Sequence, residues 1–447
     1  MEDLNLRPED LEVDSLGPCT IASQLGLSTE VGDDIANYVR DSESVVLVQD
    51  RDRLAEAFHA GAAIAAFQRA GPRERIYFDP AKTRVAVVTC GGLCPGINNV
   101  LRALVMTLHY RYGVRTIYGI RYGFQGFIPK YGHEVMMMTP EAVKDIHEKG
   151  GTILASSRGP QEVGEIVDCL ERMNVSLLFL IGGDGTLRGG QAIYEEVTRR
   201  GLKIAVVGIP KTIDNDIAYV RKTFGLETAF AAAAEAIRSA HTEAIGAPNG
   251  VGLVKVMGRM SGFIAANAAL ALNEVNFVLV PEIPFDLEGP RGLFAILEQR
   301  LRRRGHAVLI AAEGAGQRFV SVEGRTDPSG NPLLGDIGMF LQSEIKRHFK
   351  ENTDVYVNIK YIDPSYQVRS VPANAHDAIY CMQLAQNAVH AGMAGKTGML
   401  VGYWSDSITH VPLKLATSKR KFLSPEDPLW LNVLEATGQP LSMTNNK

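Results

Sequence analysis

The sequence has few of the features that mark membrane, zinc-binding or nucleic-acid-binding proteins. Its formal net charge at pH 7 is only −4, so no global field attracts nucleic acid or anionic lipid. No apolar run approaches the roughly 18 residues that a membrane span requires. The cysteines are scattered, odd in number and without zinc-type pairs of pairs. These absences favour a protein of a reducing compartment, with neither nucleic acid nor a membrane as its partner.

The amino-terminal stretch MEDLNLRPEDLEVD is acidic and has no apolar core segment, so we expect no secretory signal and a soluble, cytoplasmic protein. The length of 447 residues exceeds what one hydrophobic core usually serves, which favours two domains. Hydrophobic residues make up 46% of the chain, and that share is ample for the cores of both domains.

The pattern of apolar runs divides the chain into an appendage and a main body. Residues 1–83 contain a predicted strand at 44–48 and an alanine-rich predicted helix from Arg53 to Arg69. From residue 84 onward, strands and helices alternate for some 300 residues, which predicts a mostly parallel sheet flanked by helices. The predicted strands of the main body are 84–89, 115–119, 175–181, 204–208, 250–257, 276–280, 306–312, 354–360 and 397–401. A basic patch in the tail, formed by Lys414, Lys419, Arg420 and Lys421, is interpreted as a solvated or subunit-facing surface rather than a nucleic-acid site.

A glycine-rich turn, CGGLCPG at 90–96, follows the first strand of the main body and precedes a helical pattern. Glycines let the backbone approach phosphate oxygens, and a helix N-terminus adds N–H donors. The turn matches neither a Walker loop nor a dinucleotide fingerprint. Taken alone, it is equally consistent with a phosphate cradle and with a tight structural turn. A second polar turn at 150–160 supplies Arg158, which suits phosphate, but taken alone this loop favours a simple surface arginine.

The segments GGDGT at 182–186 and PKTIDND at 210–216 each follow an apolar strand, at the edge of an α/β sheet where ligands bind. Asp184, held in a glycine turn beside phosphates, implies an intervening cation, for which Mg²⁺ is the expected choice. A purely structural turn is the alternative. Asp214 and Asp216 are expected on one side of an extended segment, where one carboxylate could deprotonate an acceptor hydroxyl while the other helps to hold the metal. Together the two segments indicate phosphoryl transfer.

These strings, with Met257-Gly258-Arg259 downstream, resemble the 6-phosphofructokinases, and the resemblance covers roughly residues 84–405. The phrases VTCGGLCPGINN and SVPANAHDAIYCMQLAQNAVHAGMAG are similar to the long branch with an N-terminal extension, found in plants, trypanosomatids and bacteria. The resemblance implies an α/β protein with two Rossmann-like parallel-sheet domains that face each other across an active-site cleft. The implied domains are an extension at 1–83, a nucleotide-binding domain at 84–222 rejoined by about 370–405, a sugar-phosphate-binding domain at 223–369 and a tail at 406–447.

The resemblance also implies the activity, an allosteric, glycolytic enzyme that transfers a phosphoryl group from MgATP to O1 of fructose 6-phosphate. The residues implied to hold ATP are Gly92, Arg158, Gly159, Gly183, Asp184, Gly185 and Thr186, with Asp184 reaching Mg²⁺. The residues implied to contact the sugar phosphate are Thr212, Ile213, Asp214, Met257, Gly258, Arg259, Glu313, Tyr366, Gln367, Val368 and Arg369. Asp214 would be the general base, with Asp216 and Lys211 completing the catalytic set. The implied assembly is a homotetramer.

Residue 185 favours ATP as the phosphoryl donor. In the pyrophosphate-using branch an aspartate there repels the α-phosphate, whereas Gly185 leaves space. Lys211 is typical of pyrophosphate enzymes and favours the alternative, a pyrophosphate-dependent phosphotransferase. The long ATP-dependent branch combines this glycine with this lysine, so we expect ATP. An NAD kinase shares only the GGDG turn, and a non-catalytic regulatory paralogue would lack Asp214 or Asp184.

The chain departs from the bacterial short-chain members at three positions of their intersubunit sugar-phosphate site. Gly250 stands where they carry an arginine, and Tyr366 replaces a histidine. Lys360 occupies the place of a second arginine and can supply its charge less directionally. Control by the bacterial allosteric rules is therefore not expected.

Overall fold

The structure is a computed structural model that describes residues 6–320, 326 and 333–446. Within those ranges, no helix combines the length and the apolar character that crossing a membrane demands. The chain forms two compact units. The first comprises Met1–Thr212, Ile217–Gly225 and Pro372–Arg420, and the second comprises Ile213–Asp216, Leu226–Val371 and Lys421–Lys447.

The strands are β1 (Asp14–Ser15), β2 (Ile21–Ala22), β3 (Ser44–Val46), β4 (Ala66–Gln68), β5 (Arg75–Ile76), β6 (Arg84–Thr89), β7 (Thr116–Ile120), β8 (Met136–Met137), β9 (Leu177–Gly182), β10 (Ala205–Pro210), β11 (Gly250–Val256), β12 (Phe277–Leu279), β13 (His306–Ala312), β14 (Asn358–Ile362), β15 (Lys396–Thr397), β16 (Met399–Trp404) and β17 (Ser407–Pro412).

The α-helices are α1 (Arg51–His59), α2 (Ile97–Met106), α3 (Pro140–Val143), α4 (Val163–Arg172), α5 (Asp184–Arg199), α6 (Leu226–Ile245), α7 (Phe263–Leu270), α8 (Leu293–Arg304), α9 (Ile337–Asn352), α10 (Gln367–Ser370), α11 (Ala375–Met393), α12 (Leu413–Ala416) and α13 (Pro428–Thr437). Single 3₁₀ turns lie at Pro8–Leu11, Gly123–Phe127, Pro129–Tyr131, Ile146–Glu148 and Gln317–Phe319, and a π turn at Thr107–Arg111 extends α2.

A seven-stranded sheet forms the centre of the first unit, in the order β17-β16-β10-β9-β6-β7-β8. Its five central strands run parallel, and β17 and β8 are antiparallel edges. Alternate residues of β6 point to opposite faces, so Ala86 and Val88 join the core cluster that contains residues of α4 and α5. Val85 and Val87 are also fully buried, and α11, which packs against α2, contacts the neighbouring strands β9 and β10.

The amino-terminal residues pack onto this same unit through short strand pairings. β1 pairs with β15, β2 with β5 and β3 with β4, all antiparallel. The predicted helix from Arg53 to Arg69 is wrong in its second half. The helix ends at His59, and Ala66–Gln68 is a strand instead. The alanine run has high helix propensity, but Phe67 is fully buried and its backbone pairs with β3, so tertiary packing overrides the local preference.

A four-stranded, all-parallel sheet forms the centre of the second unit, in the order β12-β13-β11-β14. Its strands are apolar with few interruptions, as expected for strands covered on both faces. Helices α6, α7, α8 and α9 pack against these strands. The prediction of an α/β fold with two parallel sheets is therefore confirmed. The predicted tail boundary at 406 falls one residue before β17, which is part of the large sheet.

Candidate active site

Three polar turns of the first unit lie at one edge of the seven-stranded sheet. β6, β9 and β10 are neighbouring parallel strands, and they end at Thr89, Gly182 and Pro210. The turns CGGLCPG, GGDGT and PKT follow these three ends directly. Because parallel strands present their carboxyl ends at the same edge, the sheet brings together segments that are separated by up to 120 positions in the printed sequence.

The glycine-rich turn holds Lys211 by its backbone. The Lys211 ammonium donates a hydrogen bond to the carbonyl of Gly92 at 2.6 Å, and the residue is only 5% exposed. Gly91 has a φ of +86°, which favours glycine, and a Cβ there would lie 3.4 Å from the same ammonium. The turn thus holds a buried cation beside the ends of these strands.

The loop that carries Arg158 and Gly159 lies against the same turn. The Ser156 hydroxyl donates to the Gly91 carbonyl at 2.6 Å, and the Gly91 amide donates to the Ser157 carbonyl at 3.1 Å. Arg158 is exposed. The structure therefore places the predicted Arg158 and Gly92 in adjacent segments of one unit.

The GGDGT segment forms the start of helix α5, with Gly183 as the N-cap and Asp184 as the first residue. The first turn of a helix leaves backbone N–H groups without intrahelical partners and favours anions. Thr186 is buried against Gly182, where an added Cβ would overlap Thr186 Oγ1. By contrast, a Cβ at Gly185 would meet no atom within 4 Å. Residue 185 therefore faces open space.

Two arginines hold the Asp184 carboxylate, and the sequence analysis identified neither. Arg188, one turn later on α5, approaches Oδ1 at 3.1 Å, and Arg420 approaches Oδ2 at 3.1 Å. Only 12% of the Asp184 side chain is exposed. Arg420 belongs to the basic patch that was interpreted as a solvated or subunit-facing surface, and that interpretation is wrong for this residue.

The second unit contains the IDND portion of the PKTIDND segment, and here the chain is not extended. Asn215 has a φ of +55°, so the expected alternation that places Asp214 and Asp216 on one side of a straight segment is wrong. The bend is held by the Ser261 hydroxyl, which donates to the Asp214 carbonyl at 2.6 Å. Lys421 donates from its ammonium to Asn215 Oδ1 at 2.9 Å and from its amide to the Asp216 carbonyl at 3.0 Å.

The remaining predicted residues lie at the carboxyl edge of the four-stranded sheet. β11 runs between β13 and β14, so its last residue, Val256, is level with Ala312, and Val254 is level with Ile362. The strands therefore deliver Met257–Arg259, Glu313 and the segment 363–369 to one edge. These three segments contain the predicted sugar-phosphate residues other than Thr212, Ile213 and Asp214.

Gly258 is the position in this cluster where only glycine fits. Its φ is +127°, and an added Cβ would overlap the Ser261 carbonyl oxygen. That carbonyl belongs to the residue whose hydroxyl binds Asp214. Gly258 thereby lets the MGR turn approach the segment that carries the predicted base.

Glu313 lies among cations at this edge. Burial raises its pKa, whereas Arg259, Lys255 and Arg369 lower it and Asp363 adds to the increase. The carboxyl group is therefore less acidic than an exposed glutamate, although three basic side chains surround it. Such a group suits a hydroxyl ligand, because a carboxyl group shielded from water is costly to leave without a hydrogen-bond partner.

Lys255 is a further buried cation that the sequence analysis missed. Its side chain is 13% exposed and bonds Asp363 at 2.8 Å. Burial lowers its pKa, but Asp363, Tyr361 and Asp336 outweigh that effect and raise it above the ordinary lysine value. The available signal was a lysine interrupting the apolar run GVGLVKV of β11.

The Tyr366–Arg369 segment presents one aromatic and one basic side chain. The Arg369 guanidinium lies 4.8 Å from the ring centre of Tyr366, and Tyr366 is 77% exposed. Gln367 is exposed as well. Val368 is fully buried, backbone included, so this predicted residue presents no surface to a substrate in the structure. Lys360 lies on β14 and approaches Glu243 at 3.7 Å.

Glu282 links the MGR turn to the C-terminal segment, and it too escaped the sequence analysis. Its Oε1 accepts from the amides of Gly262 and Leu423, both at 2.9 Å. Burial raises its pKa, although both amides lower it. Through this carboxyl the segment that supplies Lys421 is tied to the loop that supplies Ser261.

Metal ligands are sparse in this arrangement. In the ranges given above, no group of three or more His, Cys, Asp or Glu side chains could hold a metal ion. Mg²⁺ at phosphoryl-transfer sites usually takes one or two carboxylates and completes its shell with phosphates and water. The Asp184 carboxylate, at a helix N-terminus that suits phosphate, fits that pattern.

Comparison with known proteins places these segments in a family. The phosphofructokinase family model matches residues 84–392. The ATP-dependent 6-phosphofructokinases of Borreliella burgdorferi and Amycolatopsis methanolica are 47% and 45% identical, covering 98% of this chain and 98% and 96% of theirs. The chloroplastic ATP-dependent 6-phosphofructokinase 4 of Arabidopsis thaliana is 47% identical over 85% of this chain and 72% of its own.

Solved structures agree in fold. A pyrophosphate-dependent phosphofructokinase from Marinobacter aquaeolei, 20% identical, superposes with a TM-score of 0.66 over 79% of this chain and 91% of its own. Pichia pastoris phosphofructokinase in the T-state, also 20% identical, gives 0.61 over 79% of this chain and 37% of its own. Since the family model covers more than half of the residues and the relatives match nearly end to end, this chain belongs to the phosphofructokinase family.

Proposed function

We propose that the protein is an ATP-dependent 6-phosphofructokinase, which phosphorylates fructose 6-phosphate at O1 and releases fructose 1,6-bisphosphate and ADP, a glycolytic reaction. The names of its near full-length relatives support this activity. The observation that carries it is the placement of two chemically distinct residue sets at the carboxyl edges of two parallel sheets. One set suits a polyphosphate and the other a sugar phosphate.

The first unit is proposed to bind the nucleotide. Gly92, Gly183, Gly185 and Thr186 present backbone amides and one hydroxyl, and the start of α5 adds a dipole that favours phosphate. Lys211 and Arg158 contribute positive charge, and Arg158 can bind phosphate oxygens in a bidentate manner. Asp184 would hold Mg²⁺, which when bound neutralises the charge on the donor phosphates.

The second unit is proposed to bind the acceptor. Arg259 and Arg369 suit a dianionic 6-phosphate, and Glu313 suits a sugar hydroxyl. Met257, Gly258, Gln367 and Tyr366 line the same edge. Asp214 would accept the proton of the C1 hydroxyl. The hydrogen bonds from Lys421 to Asn215 and Asp216 would hold the bent segment in place. Catalysis of this kind rests on positioning and charge stabilisation.

A pyrophosphate-dependent phosphotransferase is the second candidate, and Lys211 is the observation that favours it. The experiment that decides is turnover of fructose 6-phosphate with each donor under identical conditions. We expect ATP to support turnover and pyrophosphate to support less than about one-hundredth of it. Comparable turnover with pyrophosphate would overturn the assignment.

The proposal extends to assembly and location. A homotetramer predicts a solution mass of about four times the 48.6 kDa chain by light scattering, and a monomer would contradict it. A reducing compartment such as the cytoplasm agrees with the five free cysteines.

A further inference from the structure

A cavity of about 560 Å³ lies in the first unit, away from the segments described above. Its wall combines residues 15–75 of the amino-terminal extension with Ala394 and Lys396 of the main body. Such a volume accommodates a small metabolite. The cavity exists only because the extension packs onto β15, through the pairing of β1 with that strand.

The cavity lies toward the amino-terminal end of the sheet strands. Thr397, next to Lys396, accepts a hydrogen bond at 3.0 Å from the amide of Val206, near the start of β10. Lys211 follows the other end of the same strand. At about 3.3 Å per residue, the two positions are roughly 16 Å apart. The cavity and the ATP edge are therefore separate places on one sheet.

The wall carries an excess of positive charge. Four basic side chains, Arg40, Arg73, Arg75 and Lys396, line it, together with the carboxylates of Asp41 and Glu74. The whole chain, by contrast, has a net charge of −4. A concave wall with two surplus positive charges concentrates field on a small anion.

Part of this charge is fixed in place. Arg73 is only 5% exposed. Its Nε donates to Asp41 at 2.9 Å, and its remaining nitrogens donate to the carbonyls of Gly71 and Arg69. Lys396 approaches the same Asp41 oxygen at 3.7 Å. Asp41 is thus the counter-ion of two largely buried basic side chains, Arg73 and Lys396.

The other two basic side chains, Arg75 and Arg40, keep hydrogen-bond donors with which they can bind a ligand. Arg75 is exposed and uses one guanidinium nitrogen to reach the Thr20 carbonyl at 3.0 Å. The exposed Arg40 guanidinium makes no side-chain hydrogen bond within the part of the chain that the structure describes. The neighbouring Cys19 thiol donates to the Ala394 carbonyl, and burial raises its pKa. The thiol therefore stays neutral and adds no negative charge.

We propose that this cavity is a binding site for a phosphate monoester, built jointly by the extension and the main body. At pH 7 a phosphate monoester carries about two negative charges and three acceptor oxygens. Arg40 and Arg75 supply forked donors for those oxygens, and the fixed Arg73 and Lys396 supply background charge. The volume beyond a phosphate group admits the organic part of the ester.

The test is isothermal titration of the intact protein, presaturated with fructose 6-phosphate and a non-hydrolysable ATP analogue. This presaturation fills the phosphate sites of the active site. The probes are inorganic phosphate, glycerol 3-phosphate and adenosine 5′-monophosphate, at constant ionic strength. We expect one further site per chain that binds a monoester more tightly than inorganic phosphate. Absence of that site for all three probes would overturn the proposal.

The variant Arg40→Ala/Arg75→Ala removes two exposed side chains, so folding should be unaffected. We expect roughly tenfold or greater loss of affinity for the monoester, with unchanged basal turnover. Arg51→Ala is the matched control, since Arg51 lies in the same extension with a 93% exposed side chain and outside the cavity. Equal weakening by both variants would indicate nonspecific surface charge, and unchanged binding by the double variant would place the ligand elsewhere. Either result would contradict the site.

Discussion

Arg420 donates a hydrogen bond to Asp184 Oδ2 at 3.1 Å, across 236 positions of sequence. The contact joins the C-terminal segment to the carboxylate that we propose as the Mg²⁺ ligand. Since 27% of the Arg420 side chain is exposed and 12% of the Asp184 side chain, the pair is partly shielded from solvent. Removal of Arg420 would leave the Asp184 carboxylate paired with Arg188 but with less positive charge around it.

Arg420→Ala is predicted to raise the KM for MgATP by roughly tenfold and to lower kcat, because Asp184 loses an orienting partner. The KM for fructose 6-phosphate should change little. Steady-state kinetics with each substrate varied in turn checks the prediction. Arg420→Lys should recover part of the loss, and Lys414→Ala, at an exposed position nearby in sequence, should behave as the parent. An unchanged KM for MgATP in Arg420→Ala would contradict the role.

Gly185→Asp is predicted to abolish ATP use through repulsion of the α-phosphate. The fold should tolerate the change, because a Cβ at residue 185 meets no atom within 4 Å and an acidic residue suits the first turn of α5. Parallel assays with ATP and pyrophosphate, together with thermal unfolding, measure both effects. Gly185→Asn separates charge from bulk, and we expect it to retain much of the ATP turnover. Full ATP turnover by Gly185→Asp would eliminate residue 185 as the determinant of the donor.

Asp214→Ser is predicted to reduce kcat by about two to four orders of magnitude, since general base catalysis contributes about that much. Its affinity for fructose 6-phosphate should remain within several-fold of the parent, because Ser261 binds the backbone carbonyl at this position rather than the carboxylate. Equilibrium binding and single-turnover kinetics distinguish the two quantities. Asp216→Asn is the comparison and should lose less. Near-normal turnover would remove Asp214 as the base.

Arg369→Ala is predicted to raise the KM for fructose 6-phosphate by roughly tenfold to a hundredfold, because it removes a guanidinium from the proposed binding site of the dianionic phosphate. The KM for ATP should stay nearly constant. Arg369→Lys should recover only part of the loss, since an ammonium cannot form the bidentate contact. Arg303→Ala, at an exposed arginine of α8, is the control. An unaltered KM in Arg369→Ala would move the phosphate site elsewhere.

Glu282→Gln is predicted to increase the free energy of unfolding at neutral pH. Burial raises the pKa of Glu282 in the folded state, so the folded state holds this proton more tightly than the unfolded chain. The group therefore stabilises the fold below its unfolded pKa of 4.5, and that contribution is lost as pH rises through the folded value.

The side-chain amide introduced by this substitution can still accept both backbone hydrogen bonds through its oxygen, but it cannot ionise. Denaturant unfolding from acid to neutral pH measures the difference between variant and parent. The gain should be largest at neutral pH and should shrink in acid. Glu435→Gln, at an exposed position on α13, should show no such trend. A neutral-pH loss in Glu282→Gln would show that the carboxylate charge is needed.

Local pattern was sufficient for most of the parallel strands, but the antiparallel edge strands β8 and β17 were not predicted and the predicted strand 354–360 overlaps β14 only in part. The run Arg84–Thr89 was predicted residue for residue as β6, and His306–Ala312 as β13, because a strand buried on both faces is a short apolar run between turn residues. The glycine-flanked polar segments that follow such strands were predictable for the same reason. Parallel strands end at one edge, so residues placed after their ends converge without any knowledge of their contacts.

Local sequence pattern failed where a residue distant in the sequence determines the backbone conformation. The composition of residues 66–68 predicts helix, yet they pair with β3. Asn215 adopts a positive φ, and the surrounding segment is held by Ser261 and Lys421, which lie 46 and 206 positions further along. No window of neighbouring residues contains that information.

The sequence by itself determined the chemistry, since carboxylates, arginines and glycines at strand ends define what each edge can bind. The tertiary structure alone decided which charges pair there. Arg420 on Asp184, Lys255 on Asp363 and Glu282 on two amides are contacts made by residues whose spacing has no period. Packing brings them into low-dielectric surroundings, where a charge is stable only beside its partner. The partners are distant in the sequence, so only the folded structure places them next to each other.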